Sequence, residues 1–84
     1  MFYTYIIQSL KNGKYYTGSC SDINIRLERH NAGATPSTKS ARPWKLVYFE
    51  SYVTNSEALK REREIKSKKS RKYIEFLIEN SSSI

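Results

Sequence analysis

Apolar and polar positions change their spacing along the chain, and the expected elements follow from those changes. Phe2-Tyr3-Thr4-Tyr5-Ile6-Ile7 is a run of aromatic and β-branched residues, which predicts a strand over residues 2–8. Lys11-Asn12-Gly13-Lys14 reads as a hairpin turn, because Asn-Gly suits the two positive φ angles of a type I′ turn. Residues 15–19 then return as a second strand. Asp22 suits the N-cap of a helix from Ile23 to Ala32, and Gly33 its stop. A polar loop over residues 33–44 leads into a third strand, Lys45 to Ser51, whose Leu46-Val47-Tyr48-Phe49 run is its buried part. Asn55 or Ser56 is the expected cap of a second helix reaching about Lys68, and Ser70 of a third. In that third helix Tyr73, Ile74, Leu77 and Ile78 recur at helical spacing. The order β-β-α-β-α-α predicts an α+β fold, a small three-stranded antiparallel sheet flanked by helices. One domain over residues 1–79 is expected, with 80–84 as a frayed tail.

Composition narrows the chemistry. Cys20 is the single cysteine and His30 the single histidine, so an internal disulfide and a four-ligand Cys/His zinc site are both excluded. No apolar run approaches the roughly 18 residues of a membrane span. The first residues carry neither a basic stretch nor a small-residue cleavage site, so the cytoplasm is the expected compartment. The charge is concentrated: Lys60 to Lys72 holds eight basic side chains against Glu62 and Glu64, so thirteen residues carry +6 of a net +7. Such a run is either a solvated helix face or the footprint of a polyanion, most simply nucleic acid. A membrane-surface helix fits less well, since only Ala58, Leu59 and Ile65 could form its apolar face.

Several polar residues break the apolar stripes. With Ile23 at zero, a turn of about 100° per residue puts Leu27 near 40°, His30 near −20° and Arg26 near −60°. His30 is therefore either a hydrogen-bonded core residue or a catalyst, and Arg26 either an amphipathic edge residue or its companion. In the second helix, Glu62 lies near −60° when Leu59 is at zero, between Leu59 and Ile65 on the same count. A carboxylate there needs compensation, by an ion pair with Arg26, Arg61 or Arg63, or by a hard cation such as Mg²⁺. With a two-residue turn, Ser9 faces Tyr16, Ile7 faces Gly18 and Tyr5 faces Cys20, so Tyr5 and Tyr16 share one sheet face. Small Ser9 and Gly18 leave room beside them. Cys20 reads as a small buried cysteine rather than a nucleophile. Ser37, Thr38 and Lys39 read as a solvated turn or as phosphate contacts.

Tyr3-Thr4-Tyr5, the Asn12-Gly13 turn, Tyr16-Thr17-Gly18, Arg26, His30 and Glu62 together resemble the GIY-YIG nuclease domain, over nearly the whole chain. The likeness is to the small stand-alone bacterial branch, where a segment like Arg42-Pro43-Trp44-Lys45-Leu46-Val47-Tyr48 precedes the third strand. It is similar to the catalytic domain of the structure-specific nuclease subunit. It departs from the family pattern at Tyr3-Thr4, which stand where the family name has Gly-Ile. The resemblance implies an enzyme, a metal-dependent endonuclease hydrolysing DNA phosphodiester bonds, with structured or damaged DNA in repair or recombination as its substrate. Glu62 would hold one divalent metal, Mg²⁺ or Mn²⁺, and Arg26 would stabilise phosphate charge. Tyr5 or Tyr16 would orient or deprotonate the attacking water, and His30 would assist proton transfer. A phenol titrates near 10, so a tyrosine base needs help from neighbouring positive charge. Lys39, Arg42, Lys60, Arg63, Lys66 and Lys69 would contact DNA phosphates, a salt-sensitive and largely sequence-blind mode of binding. The alternative is a non-catalytic nucleic-acid-binding module, or an accessory subunit that needs a protein partner; a homo-oligomer is equally compatible.

Overall fold

The computed structural model describes residues 1–81. Its elements are β1 (Phe2–Ser9), β2 (Tyr15–Cys20), α1 (Ile23–Ala32), α2 (Pro36–Lys39), β3 (Trp44–Tyr52), α3 (Asn55–Lys68) and α4 (Arg71–Glu79). The sheet has the order β2-β1-β3, and β1 pairs antiparallel with both neighbours. A central strand covered on both faces explains the unbroken run of buried residues from Thr4 to Ile7.

Each face has its own core. On one, Tyr5, Ile7, Cys20, Ala41 and Trp44 pack with Ile23 and Leu27 of α1. On the other, Ile6, Val47 and Ile65 pack with Tyr73, Ile74, Leu77 and Ile78, covered by α3 and α4. Thr4 points to this second face and donates to the carbonyl of Ala58 at 2.7 Å, tying α3 to the central strand. The β1–β3 register slips between Ile6 and Ile7, which pair with Tyr48 and Leu46. The resulting bulge lets Val47 and Tyr48 both pack on the α3–α4 side.

The hairpin register differs from the two-residue-turn expectation. Tyr3 pairs with Cys20, Tyr5 with Gly18 and Ile7 with Tyr16, a displacement of two residues. The turn is longer because side chains satisfy its backbone. Ser9 Oγ accepts from the amides of Lys11 (3.0 Å) and Asn12 (3.1 Å), and Asn12 Oδ1 from Lys14 N (3.0 Å). Gly13 takes the left-handed conformation at φ 76°, whereas Asn12 keeps a negative φ, so the turn is not type I′. A slip of two residues preserves side-chain facing, so Tyr5 and Tyr16 still share a face.

α1 is capped as expected: Asp22 Oδ1 accepts from Ile25 N at 3.0 Å, and Gly33 closes it at φ 81°. The cap of α3 is Thr54 rather than Asn55 or Ser56. Its hydroxyl accepts from Glu57 N while the Glu57 carboxylate accepts from Thr54 N, a reciprocal box that the later residues cannot form. Ser70 caps α4 by accepting from Tyr73 N at 3.1 Å. The expected polar loop holds the short α2 and is a wall rather than a solvated turn. Thr38 is buried there, and its carbonyl accepts from Trp44 Nε1 at 2.9 Å. Asn31 clamps both backbone groups of Trp44. At the C-terminus, Asn80 and Ser81 still hydrogen-bond to α4, and residues 82–84 of the expected tail lie outside the described residues.

Candidate active site

The site is assembled around the edge strand β2. Tyr5 comes from the central strand and is 2% exposed. Its ring lies directly across from Gly18, where a Cβ would fall 2.6 Å from the phenol oxygen; any larger residue would push the ring out of its slot. The Tyr5 hydroxyl meets His30 Nε2 at 2.9 Å, and His30 Nδ1 meets Thr38 Oγ1 at 2.8 Å. Thr38 donates its own proton to the carbonyl of Thr35 at 3.3 Å. Assigned from this network, Nδ1 carries the imidazole proton and Nε2 accepts from Tyr5.

Electrostatics agree with that direction. Burial lifts the Tyr5 phenol well above the usual tyrosine range, Tyr16 adds to the effect, and Arg26 offsets only part of it. Burial, with the Arg26 charge adding to it, holds His30 below the ordinary histidine range. Tyr5 is thus a protonated donor and His30 a neutral acceptor near pH 7. The Tyr16 ring packs edge-on to the His30 ring with centroids 5.1 Å apart. Tyr16 stands on the edge strand and is half-buried, so it is the more accessible phenol.

Glu62 arrives from the opposite face. α3 packs on the side of the sheet away from α1, and the carboxylate reaches the site at the β2 edge. Its side chain is 17% exposed. Oε1 accepts from Ser19 Oγ at 2.7 Å, and Oε2 pairs with Lys66 Nζ at 2.6 Å. The carbonyl of the same Ser19 accepts from Arg26 Nη1 at 3.4 Å, and Lys66 Nζ lies 5.7 Å from the Tyr16 ring centroid. Ser19 therefore joins Glu62 to Arg26, and Lys66 joins Glu62 to Tyr16. Among the described residues no hydrogen bond or ion pair joins Glu62 directly to Arg26, Tyr5 or His30. The expected ion pair with Arg26, Arg61 or Arg63 is instead the Lys66 pair; Arg61 is taken by Glu50 and Glu64, and Arg26 donates to the Ser19 carbonyl.

Ser19 was not singled out from the sequence, and Lys66 and Thr38 were expected as phosphate contacts rather than as partners of Glu62 and His30. Ser19 was legible from strand alternation, which turns it away from Gly18 toward α3. Lys66 as the partner of Glu62 was legible from its i, i+4 spacing. Thr38 as the partner of His30 was not legible, since eight residues and a turn separate them. Cys20 is 7% exposed and burial raises its thiol, so it is an inert core residue, as its composition suggested.

The basic residues divide by position. Lys66 is engaged with Glu62, while Arg63 and Lys69 are exposed on α3 and at its end. Lys60 lines a groove with Tyr52, Glu57, Arg61 and Glu64, on the far side of α3 from Glu62. Lys39 and Arg42 line a separate notch together with Lys11.

The donor set bears on a metal. Among the described residues no group of three or more His, Cys, Asp or Glu could form an all-protein cage. A single carboxylate beside a serine hydroxyl suits a largely hydrated hard cation such as Mg²⁺ or Mn²⁺. The Lys66 ammonium already occupies a cation position on that carboxylate, so positive charge there is compatible with the surroundings.

Comparison with known proteins gives a consistent picture. The chain matches the GIY-YIG catalytic domain over residues 1–74. A UPF0213 protein of Staphylococcus aureus strain N315 is 50% identical over 66 residues, 77% of this chain and 79% of that protein. The UPF0213 protein of strain MW2 gives the same figures. The solution NMR structure of a UPF0213 protein from Bacillus halodurans superposes with a TM-score of 0.58 at 32% identity, covering 94% of this chain and 84% of that one. Those names state no activity.

Proposed function

The chain belongs to the GIY-YIG family, a nuclease family, and on that premise we propose that it is a metal-dependent endonuclease hydrolysing DNA phosphodiester bonds. The observation that carries this reading is Glu62, a carboxylate held at the β2 edge by Ser19 and turned toward the Tyr16 side by Lys66 rather than into bulk solvent. A Mg²⁺ or Mn²⁺ ion held by Glu62 supplies stabilisation of charge on the phosphate and on the leaving oxygen. Arg26 adds fixed positive charge to the same phosphate. Tyr16 is the phenol that meets the attacking water, since it is the accessible one. Tyr5 keeps its proton and, with His30 and Thr38, holds the wall against which Tyr16 packs. No described helix is long and apolar enough to cross a membrane. A DNA substrate puts the work of this enzyme in the cytoplasm, on structured or damaged DNA.

Labelled single-stranded, duplex, flap and junction DNA, each with Mg²⁺, Mn²⁺ or EDTA, tests the proposal. Cation-dependent nicking is expected, lost in Glu62→Ala while DNA binding persists. Binding without cleavage on every substrate would make the chain a nucleic-acid-binding module instead. Equal cleavage by the Glu62→Ala protein would remove Glu62 from the chemistry.

A further inference from the structure

Three cations of the basic run are held in ion pairs, and a separate cationic surface lies elsewhere on the molecule. Arg61, Lys66 and Arg71 of α3 and α4 are each paired with a carboxylate. Lys11, Lys39 and Arg42 have no carboxylate partner among the described residues, yet they surround a single notch of about 440 Å³. Its other walls are Pro36 and Ser40, so no acidic side chain lines it. The notches beside α3 and α4, in contrast, carry Glu57 with Glu64 and Glu75 with Glu79.

This notch is built rather than incidental. Lys11 is fixed by donating to the carbonyl of Ser40 at 3.1 Å, and Ser9 ties the hairpin to the carbonyl of Ala41 at 2.5 Å. Arg42 lies across Gly33, where a Cβ would fall 2.0 Å from its Nη1, so a side chain there would make the guanidinium shift. Lys39 directly follows Thr38, which hydrogen-bonds to His30, so the notch is joined to the wall of the candidate site.

We infer that Lys11, Lys39 and Arg42 form a phosphate-binding site that seats the nucleic-acid backbone on the hairpin-turn side of the candidate active site, away from the phosphate that is cut. It rests on the nuclease reading for its purpose but not for its measurement. Three cations converging without a counter-ion attract a polyanion, and a guanidinium with open donors suits phosphate oxygens. The contact is to backbone, so it confers position and not sequence preference.

The test is DNA binding in EDTA, read by anisotropy of a labelled 20-base-pair duplex between 50 and 200 mM KCl. Each phosphate contact adds about 0.9 to the salt slope, so a Lys11→Gln/Lys39→Gln/Arg42→Gln protein should lose about 2.7 from it. Over that salt range the wild-type protein should then lose about fortyfold more affinity than the variant. A charge-matched control, Arg29→Gln/Lys45→Gln/Lys72→Gln, should change the slope far less. Equal losses in both proteins would mean diffuse attraction rather than a site, and an unchanged slope in the first would overturn the inference. The reading takes no turnover, so a protein that binds through the notch and never cleaves fails only the nuclease proposal. One that cleaves with an unchanged slope fails only this inference.

Discussion

Two tyrosine networks lie on opposite faces of the sheet, and they differ in charge and in closure. On the α1 face, Tyr5, His30, Thr38 and the Thr35 carbonyl form a neutral line of donors. On the α3 face, both Tyr48 and Tyr52 donate to Glu50, which also takes a bidentate contact from Arg61. Burial comes first in raising all three phenols, pushing Tyr48 up to about 12. Burial alone would raise Glu50 too, but the hydrogen bonds from Arg61, Tyr48 and Tyr52 override it and hold the carboxyl below the usual range. The second network is closed: its charges compensate one another and clamp β3 to α3. The first ends beside Tyr16, at an edge where Glu62 and Arg26 converge. Similar residue types thus form a structural clamp in one place and line the candidate active site in the other. The clamp adjoins the site only in sequence, Arg61 preceding Glu62 on α3.

Removing the carboxylate on each side gives the sharpest contrast. Glu62→Gln should lower the cleavage rate by at least about a hundredfold, the scale of losing a principal charge stabiliser. Its stability should change by less than about 1 kcal/mol, since glutamine can keep the Ser19 bond and Lys66, the partner it loses, is half exposed. Glu50→Gln should leave cleavage within a few-fold at a temperature where it is folded; a hundredfold loss there would erase the distinction.

Gly18→Ala forces a methyl into the Tyr5 ring and should cost about 1–3 kcal/mol by overpacking. Cleavage should fall with it, measured against an intact far-ultraviolet spectrum. Glu50→Ala should cost about 1–2 kcal/mol, below the range for a fully buried pair because both partners are 20% exposed. At this chain length each 1 kcal/mol lowers the melting temperature by about 4–8 °C.

Acid separates the two networks more gently. The folded Glu50 carboxyl lies below its unfolded value of about 4.3, so its contribution is present above that pH and is lost as pH falls through the folded value. His30 is likewise depressed, so its contribution is present above its unfolded value of about 6.5 and is lost as pH falls through the folded value, a window above that of Glu50. Urea titrations should therefore show two acid steps, the upper one absent in His30→Gln and the lower one reduced in Glu50→Gln. The smallest effect concerns the tethered cation. Lys66→Met should tighten Mn²⁺ binding by about two- to fivefold, read by electron paramagnetic resonance, because the ion no longer displaces an ammonium worth about 0.5–1 kcal/mol.

Much of this molecule is local in origin and could be read from the order of residues. Strand 2–8, the Asp22 and Gly33 ends of α1 and the Ser70 cap depend on neighbours within a few positions, so pattern and capping chemistry suffice. Tyr5, Tyr16, Arg26, His30 and Glu62 could be picked out because each interrupts an apolar stripe or repeats a family motif. Side-chain facing in the hairpin survived a wrong turn type because a two-residue slip keeps parity. The Thr54 cap was local too, a Thr-x-x-Glu box with Glu57 that the order of residues already carries. Tertiary structure alone decided the rest. Thr38 became the partner of His30, and Lys11 joined Lys39 and Arg42, through contacts between segments that sequence spacing does not relate. Arg61 was lost to Glu62 as an ion-pair partner because Glu50, from a distant strand, had claimed it. A side chain's propensity is set by its own backbone, but its partner is set by which surfaces the chain packs together, and that is a property of the whole fold.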